Sequence, residues 1–338
     1  MLVGKQSWLF ENQPVIKATG VTGGPFEARG KISEDFDILH DELWMGEQSY
    51  EKAHKLLIEE AVDVALKKAE LTEKEIQFFI GGDLINQITP TNFAARKFAI
   101  PYFGLFNACA TSMEGLALAS LIINHNGADY TITGAASHNA AAERQFRYPT
   151  EYGGQKPPTA QWTVTGAGYA IVGKQKNKEK LPKVTTATIG KVIDMGLTDP
   201  FNMGAAMAPA AADTIEAHFR DLNRKLEDYD LIVTGDLGKI GYNIAIDLLH
   251  QKGIMVDENN YKDCGLLIYS EEQEDVLAGA SGAASSATVI YGHLLNEMKK
   301  GKYKKILCVA TGALLSPMTV QQKESIPCIA HAVSIEFD

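Results

Sequence analysis

Three stretches in the first half of the chain return, in the same order, in the second. Leu71-Thr-Glu-Lys-Glu-Ile-Gln-Phe-Phe-Ile-Gly-Gly-Asp-Leu84 is answered by Arg224-Lys-Leu-Glu-Asp-Tyr-Asp-Leu-Ile-Val-Thr-Gly-Asp-Leu237. Each runs from a polar helix end through an apolar strand into Gly-Asp-Leu, with Asp83 and Asp236 in register. Ala128-Asp-Tyr-Thr-Ile-Thr-Gly-Ala-Ala136 is echoed by Lys304-Lys-Ile-Leu-Cys-Val-Ala-Thr-Gly-Ala-Leu314, and Val164-Thr-Gly-Ala-Gly-Tyr-Ala-Ile-Val172 by Ile326-Pro-Cys-Ile-Ala-His-Ala-Val-Ser334. One half alone leaves a sheet face bare. The repeat therefore predicts a duplicated α/β unit about a pseudo-twofold axis, divided into residues 1–180 and 181–338.

Local periodicity agrees. Ser49 to Ala69 carries apolar residues at helical spacing (Ala53, Leu56, Leu57, Ala61, Val64, Ala65) and is followed by the strand-like Ile76-Gln-Phe-Phe-Ile80. Strands alternating with helices predict a largely parallel, buried sheet. The 338 residues are 45% hydrophobic and 22% charged, enough apolar content for a large core, and the formal charge of −10 argues against non-specific nucleic-acid binding. No apolar run approaches the roughly 18 residues of a membrane span. The first twenty residues lack a signal peptide's apolar core, so cytosolic synthesis is expected. Cys109, Cys264, Cys308 and Cys328 make no CxxC pair, which speaks against a disulfide framework or a metal site. The cluster Lys174-Gln-Lys-Asn-Lys-Glu-Lys180 reads as a solvated turn between strands.

Ligand sites in α/β sheets lie beyond the carboxyl ends of strands, where a duplicated fold would bring together Asp83, Cys109, Ser137 and His138 with Asp236, Ser281 and Ser316. Cys109 follows an apolar strand and opens a small-residue helix. Two readings stand: a thiol activated by the helix N-terminus, with free N–H groups at Cys109, Ala110 and Thr111 cradling an anion, or a small core residue.

The stretch Asn107-Ala-Cys-Ala-Thr-Ser-Met-Glu-Gly115, with Val164-Thr-Gly-Ala-Gly168 and the duplicated halves, resembles the thiolase and ketoacyl synthase superfamily along about the whole chain. That resemblance implies a five-layered α/β/α/β/α thiolase-like fold. It also implies a second-half His, with an Asn or a second His, completing a catalytic trio. Here the chain departs, with Thr234-Gly-Asp-Leu-Gly238 at one such place and Gly279-Ala-Ser-Gly-Ala-Ala-Ser285 at the other. Neither supplies an imidazole, so condensation is not expected. His293 reads as a helix-face residue. His331, placed before the last strand at the position matched by Tyr169, is either a satisfied histidine or a contact to a carboxylate.

Two further segments, 137–157 and 196–214, together with Gly312-Ala-Leu-Leu-Ser-Pro317 and Cys264-Gly-Leu-Leu-Ile-Tyr269, closely resemble a thiolase-like family of stage V sporulation proteins from spore-forming bacteria. The resemblance implies a non-catalytic protein that binds dipicolinic acid (pyridine-2,6-dicarboxylate). It would move this ligand into the developing spore and out at germination, at the spore inner membrane, with membrane-embedded partners of the same operon. No cofactor and no bound metal are expected, although the ligand could arrive as its calcium chelate. Arg144 and Arg147 could pair with a ligand carboxylate, or with Glu143 and Glu151. Asp83 and Asp236 are protonated, orient donors, or meet that calcium ion. Relatives mostly dimerise beside the nucleophile, and apolar Ile100-Pro-Tyr-Phe-Gly-Leu-Phe106 suits a homodimer. Two other functions stay open: an acyl transferase or thioesterase using Cys109 as nucleophile with His331 or Asp236 as base, and a scaffold with a vestigial pocket.

Overall fold

The structure, a computed structural model, describes residues 1–145, 156–175, 180–270 and 272–337. Most of the expected Lys174–Lys180 turn lies outside the described residues, as do Arg147 and Glu151. The first half supplies strands β1 (Val15–Gly23), β2 (Phe78–Gly82), β3 (Tyr102–Gly104), β4 (Tyr130–Ser137) and β5 (Gly166–Gly173). The second supplies β6 (Lys183–Ile189), β7 (Leu231–Thr234), β8 (Tyr261–Asp263), β9 (Lys305–Ala313) and β10 (Cys328–Glu336). Both halves place them in the same order: β1-β5-β4-β2-β3, and β6-β10-β9-β7-β8. The two sheets meet at one bridge, Lys183 to Val15.

The sheets are mixed rather than largely parallel. In each half the three inner-to-edge strands run parallel, but β5 and β10 return antiparallel to both neighbours. Antiparallel neighbours need no helical crossover, which parallel pairing requires. Register also shifts one echo. Gly134 faces Tyr169, whereas Gly312 faces Ile329 and His331 faces Ala310. A slip of two residues keeps each side chain on its own face, so the pattern survives.

Five layers follow from where the apolar faces lie. Helix α1 (Tyr50–Ala69), capped by Ser49 accepting from the Lys52 N–H at 3.2 Å, and α2 (Thr89–Phe98) cover the outside of the first sheet. They bury Leu57, Val62 and Phe98 against Phe79, Ile132 and Ile171. In the centre, α3 (Thr111–Asn124) and the helix spanning 283–299 lie between the sheets, burying Met113, Leu116, Ile290 and Leu294. The 283–299 helix opens into a π-helical turn at Val289–Leu294, where the Thr19 hydroxyl donates to the Tyr291 carbonyl at 2.9 Å. On the far side α4 (Met203–Leu222) and α5 (Gly238–Gln251) close the second sheet over Ile215, Ile232 and Leu307. These two helices touch so closely that a Cβ on Gly204 would sit 2.1 Å from the Leu237 carbonyl oxygen. That contact fixes the N-terminal turn of α4, which walls the site.

Candidate functional site

Cys109 sits on a 3₁₀ turn, Ala108–Ala110, between β3 and α3. The preceding Ala108 holds φ at 49°, a left-handed conformation costly for a residue with a Cβ. Strand β9 backs directly onto this turn, since a Cβ on Gly312 would lie 2.8 Å from the Asn107 oxygen and 3.0 Å from the Ala110 nitrogen. Two of the three N–H groups expected to cradle an anion are occupied. That of Ala110 donates to the Asn107 carbonyl at 3.2 Å and that of Thr111 to the Ala108 carbonyl. The Thr111 hydroxyl also donates to Ala108 O at 2.8 Å and accepts from the Asn107 N–H.

The partner of the Cys109 thiol comes from the other half: it hydrogen-bonds the carboxylate of Asp236. Asp236 is fully buried and also accepts from the Thr311 hydroxyl at 2.8 Å, the Ser281 hydroxyl at 3.0 Å and the Gly282 N–H at 3.0 Å. Burial pushes its pKa up, and these hydrogen bonds offset part of that rise. Gly282 holds φ at 106°, a conformation that favours glycine, and so aims its N–H at the carboxylate.

Asp83, in register with Asp236 along the sequence, does a different job. It accepts from the Ile85 N–H at 2.7 Å and the Thr91 N–H at 3.0 Å, tying down the first turn of α2. Burial raises its carboxyl to about 6. The corresponding work at the start of α5 falls to Asp263, which receives the Leu237 and Gly238 N–H groups. Duplication preserved the position of the two aspartates while their partners diverged.

His331 lies inside β10 rather than ahead of it, and both ring nitrogens are engaged: Nδ1 by the Gly190 N–H at 3.2 Å and Nε2 by the Asn107 amide at 2.8 Å. Burial pushes its pKa down to about 4, so the ring is neutral. His138 faces away from the cysteine, with Nε2 2.9 Å from the Leu43 carbonyl oxygen. Ser137 donates to Val164 O at 2.7 Å and receives the Ala284 N–H at 3.2 Å, steadying the helix that begins at Ala283. His293 pairs with Asp35 at 2.7 Å on the helix face. Arg144 is exposed, 5.9 Å over the Tyr50 ring, and Glu143 pairs with Lys156 instead.

Two adjoining chambers meet at this point. The inner, about 280 Å³, reaches Cys109 and Ser281 and is walled by Leu84, Met207, Ala313 and Ser316. The outer, about 320 Å³, is lined by Glu143, Lys156, Gln161, Phe201 and Val320. Met203, Leu315 and Pro317 line both. Gln161 links the chambers, because its Nε2 donates to the backbone oxygens of Asp236 at 2.8 Å and Ala280 at 2.9 Å. Of the residues expected here, Cys109, Ser281 and Ser316 line the cavity and Asp236 underlies it. Asp83, Ser137 and His138 support its frame. Lys156, Gln161 and Thr311 were not anticipated; Lys156 falls in a segment already marked as distinctive, but nothing in sequence marks the other two.

Comparison with known proteins places this geometry. The sequence profile described as Stage V sporulation protein AD (SpoVAD) matches residues 4–336. The Bacillus subtilis (strain 168) protein of that name is 49% identical over 335 residues, covering 99% of this chain and 98% of its own. Among solved structures, cerulenin-bound OleA of Xanthomonas campestris superposes with a TM-score of 0.64 at 12% identity, over 97% of this chain and 100% of that one. The 3-oxoacyl-[acyl-carrier-protein] synthase III of Aquifex aeolicus VF5 gives 0.59 at 13%, over 96% and 99%. At such identities the likeness establishes the fold, which is thiolase-like.

Proposed function

The chain belongs to the stage V sporulation protein AD family, and from that premise we propose that it is a non-catalytic receptor for dipicolinic acid. It would take the ligand up into the developing spore and release it at germination, in concert with membrane-embedded partners at the spore inner membrane. No helix among the described residues is long and apolar enough to cross a membrane, so the membrane step would belong to those partners. A homodimer would form along the β3 edge, where Phe103 and Phe106 are exposed.

The observation that carries the binding reading is the company kept by Cys109. Acyl transfer needs a thiolate, an oriented base and donors for an oxyanion. Asp236 stands against Cys109 where a carboxylate base would, but the Ala110 and Thr111 N–H groups that could receive an oxyanion are consumed by a 3₁₀ turn, and His331 has both nitrogens engaged. A second anion formed at Sγ would lie against Asp236. Small and apolar walls suit a flat ring.

Isothermal titration with dipicolinate, with and without calcium and against isophthalate as a nitrogen-free control, tests this. Saturable binding that discriminates against isophthalate is expected; no heat to millimolar ligand would overturn it. The competing reading, acyl transfer through Cys109, draws on the thiol's place in the inner chamber. It predicts a stoichiometric Cys109 adduct by mass spectrometry after incubation with acyl-CoA thioesters.

A further inference from the structure

A ligand bearing two carboxylates needs compensating positive charge once it leaves water. Among the described residues lining the two chambers, Lys156 is the one cationic side chain. Resting on the dipicolinate reading, we propose that Lys156 is the residue that selects for the ligand's carboxylate, with Glu143 as its built-in competitor.

The geometry supports a held but unsaturated cation. Lys156 is 13% exposed, its Nζ lies 3.0 Å from Glu143 Oε1, and it sits 5.2 Å over the Trp162 ring, which is itself stacked on Phe26 at 4.3 Å. An ammonium has three N–H donors, so the bond to Glu143 leaves capacity for an incoming carboxylate. Glu143 is 1% exposed and its Oε2 has no hydrogen-bond partner among the described residues. The pair is thus a half-satisfied ion pair facing a chamber continuous with Cys109, a poor arrangement for stability alone. A bound carboxylate would share the ammonium, and the Glu143 charge would repel it.

Opposite signs follow for the two partners. Glu143→Gln should tighten dipicolinate binding about threefold or more, because the competing charge is gone. The double variant Lys156→Met/Glu143→Gln, which removes both charges and so leaves no buried carboxylate unpaired, should weaken it at least tenfold. That loss should come with a melting temperature near wild type and with a flatter dependence on salt. Titration calorimetry of wild type and both variants reads these effects. Unchanged affinity in the double variant, or weaker binding by Glu143→Gln, overturns the inference alone. No binding by the wild-type protein removes the dipicolinate reading and this inference with it.

Discussion

Lowering the pH should expose a cost built into the first half of the molecule. His54 on α1 is fully buried, and neither ring nitrogen has a hydrogen-bond partner of ordinary geometry among the described residues. Desolvation pushes its pKa from 6.5 down to about 3, against smaller opposing influences from the backbone at Ala136 and the charge of Glu51. His138 lies beside it, ring centroids 6.3 Å apart, and is driven to about 4 by burial and by that neighbour. The unfolded chain binds a proton at position 54 below pH 6.5 while the folded one does not, so stability falls as pH falls. At about 1.4 kcal/mol per pH unit, the gap between 6.5 and about 3 is worth about 5 kcal/mol in full, and roughly 3 kcal/mol of it is lost by pH 4.5. That is a large share of an ordinary domain's stability. Carboxylates with raised values oppose this in the wild-type protein, so the informative quantity is a difference between variants. His54→Leu should be near neutral at pH 7.5 and more stable than wild type by about 3 kcal/mol at pH 4.5, measured by urea unfolding. Parallel pH profiles for the two proteins would refute the assignment of a buried, neutral His54.

Three further outcomes are expected. Glu27 is fully buried and held at about 7, chiefly by desolvation, so its folded state keeps a proton that the unfolded chain has lost. That stabilisation is complete below 4.5 and lost as pH rises through 7. Against a Glu27→Gln variant, wild type should therefore weaken by about 3 kcal/mol between pH 4 and 8 in denaturant titrations. Asp236→Ala leaves the Gly282 N–H and the Ser281 and Thr311 hydroxyls without their acceptor. A loss of about 2–4 kcal/mol is expected by thermal unfolding, and a loss under 1 kcal/mol would mean that Asp236 does not organise the inner chamber. Leu315, half-buried on the wall common to both chambers, offers a steric test: Leu315→Trp should abolish dipicolinate binding in calorimetry while leaving the melting temperature close to wild type.

Sequence alone carried the duplication, and with it most of the architecture. Period, turn residues and strand-end motifs are local, so the helix starting near Ser49, the strand ends before Asp83 and Asp236, and the cysteine just ahead of α3 could all be placed from the chain. The missing second-half imidazoles were legible for the same reason. What depended on distance in the sequence was not. Cys109 and Asp236 hydrogen-bond across the pseudo-twofold axis, and only the packing of one sheet against the other decides that the carboxylate meets a thiol. Asp83 and Asp236 look alike in sequence because both end equivalent strands. They differ in role because different hydrogen-bond partners reach them, Thr91 in one case and Ser281 and Thr311 in the other. The 3₁₀ turn that consumes the Ala110 and Thr111 N–H groups begins at Ala108, which holds a left-handed φ of 49° that its residue type does not favour. Periodicity specifies what a segment becomes; side-chain chemistry at a site is set by which segments the tertiary fold brings within 3 Å of one another, a length set by the hydrogen bond itself.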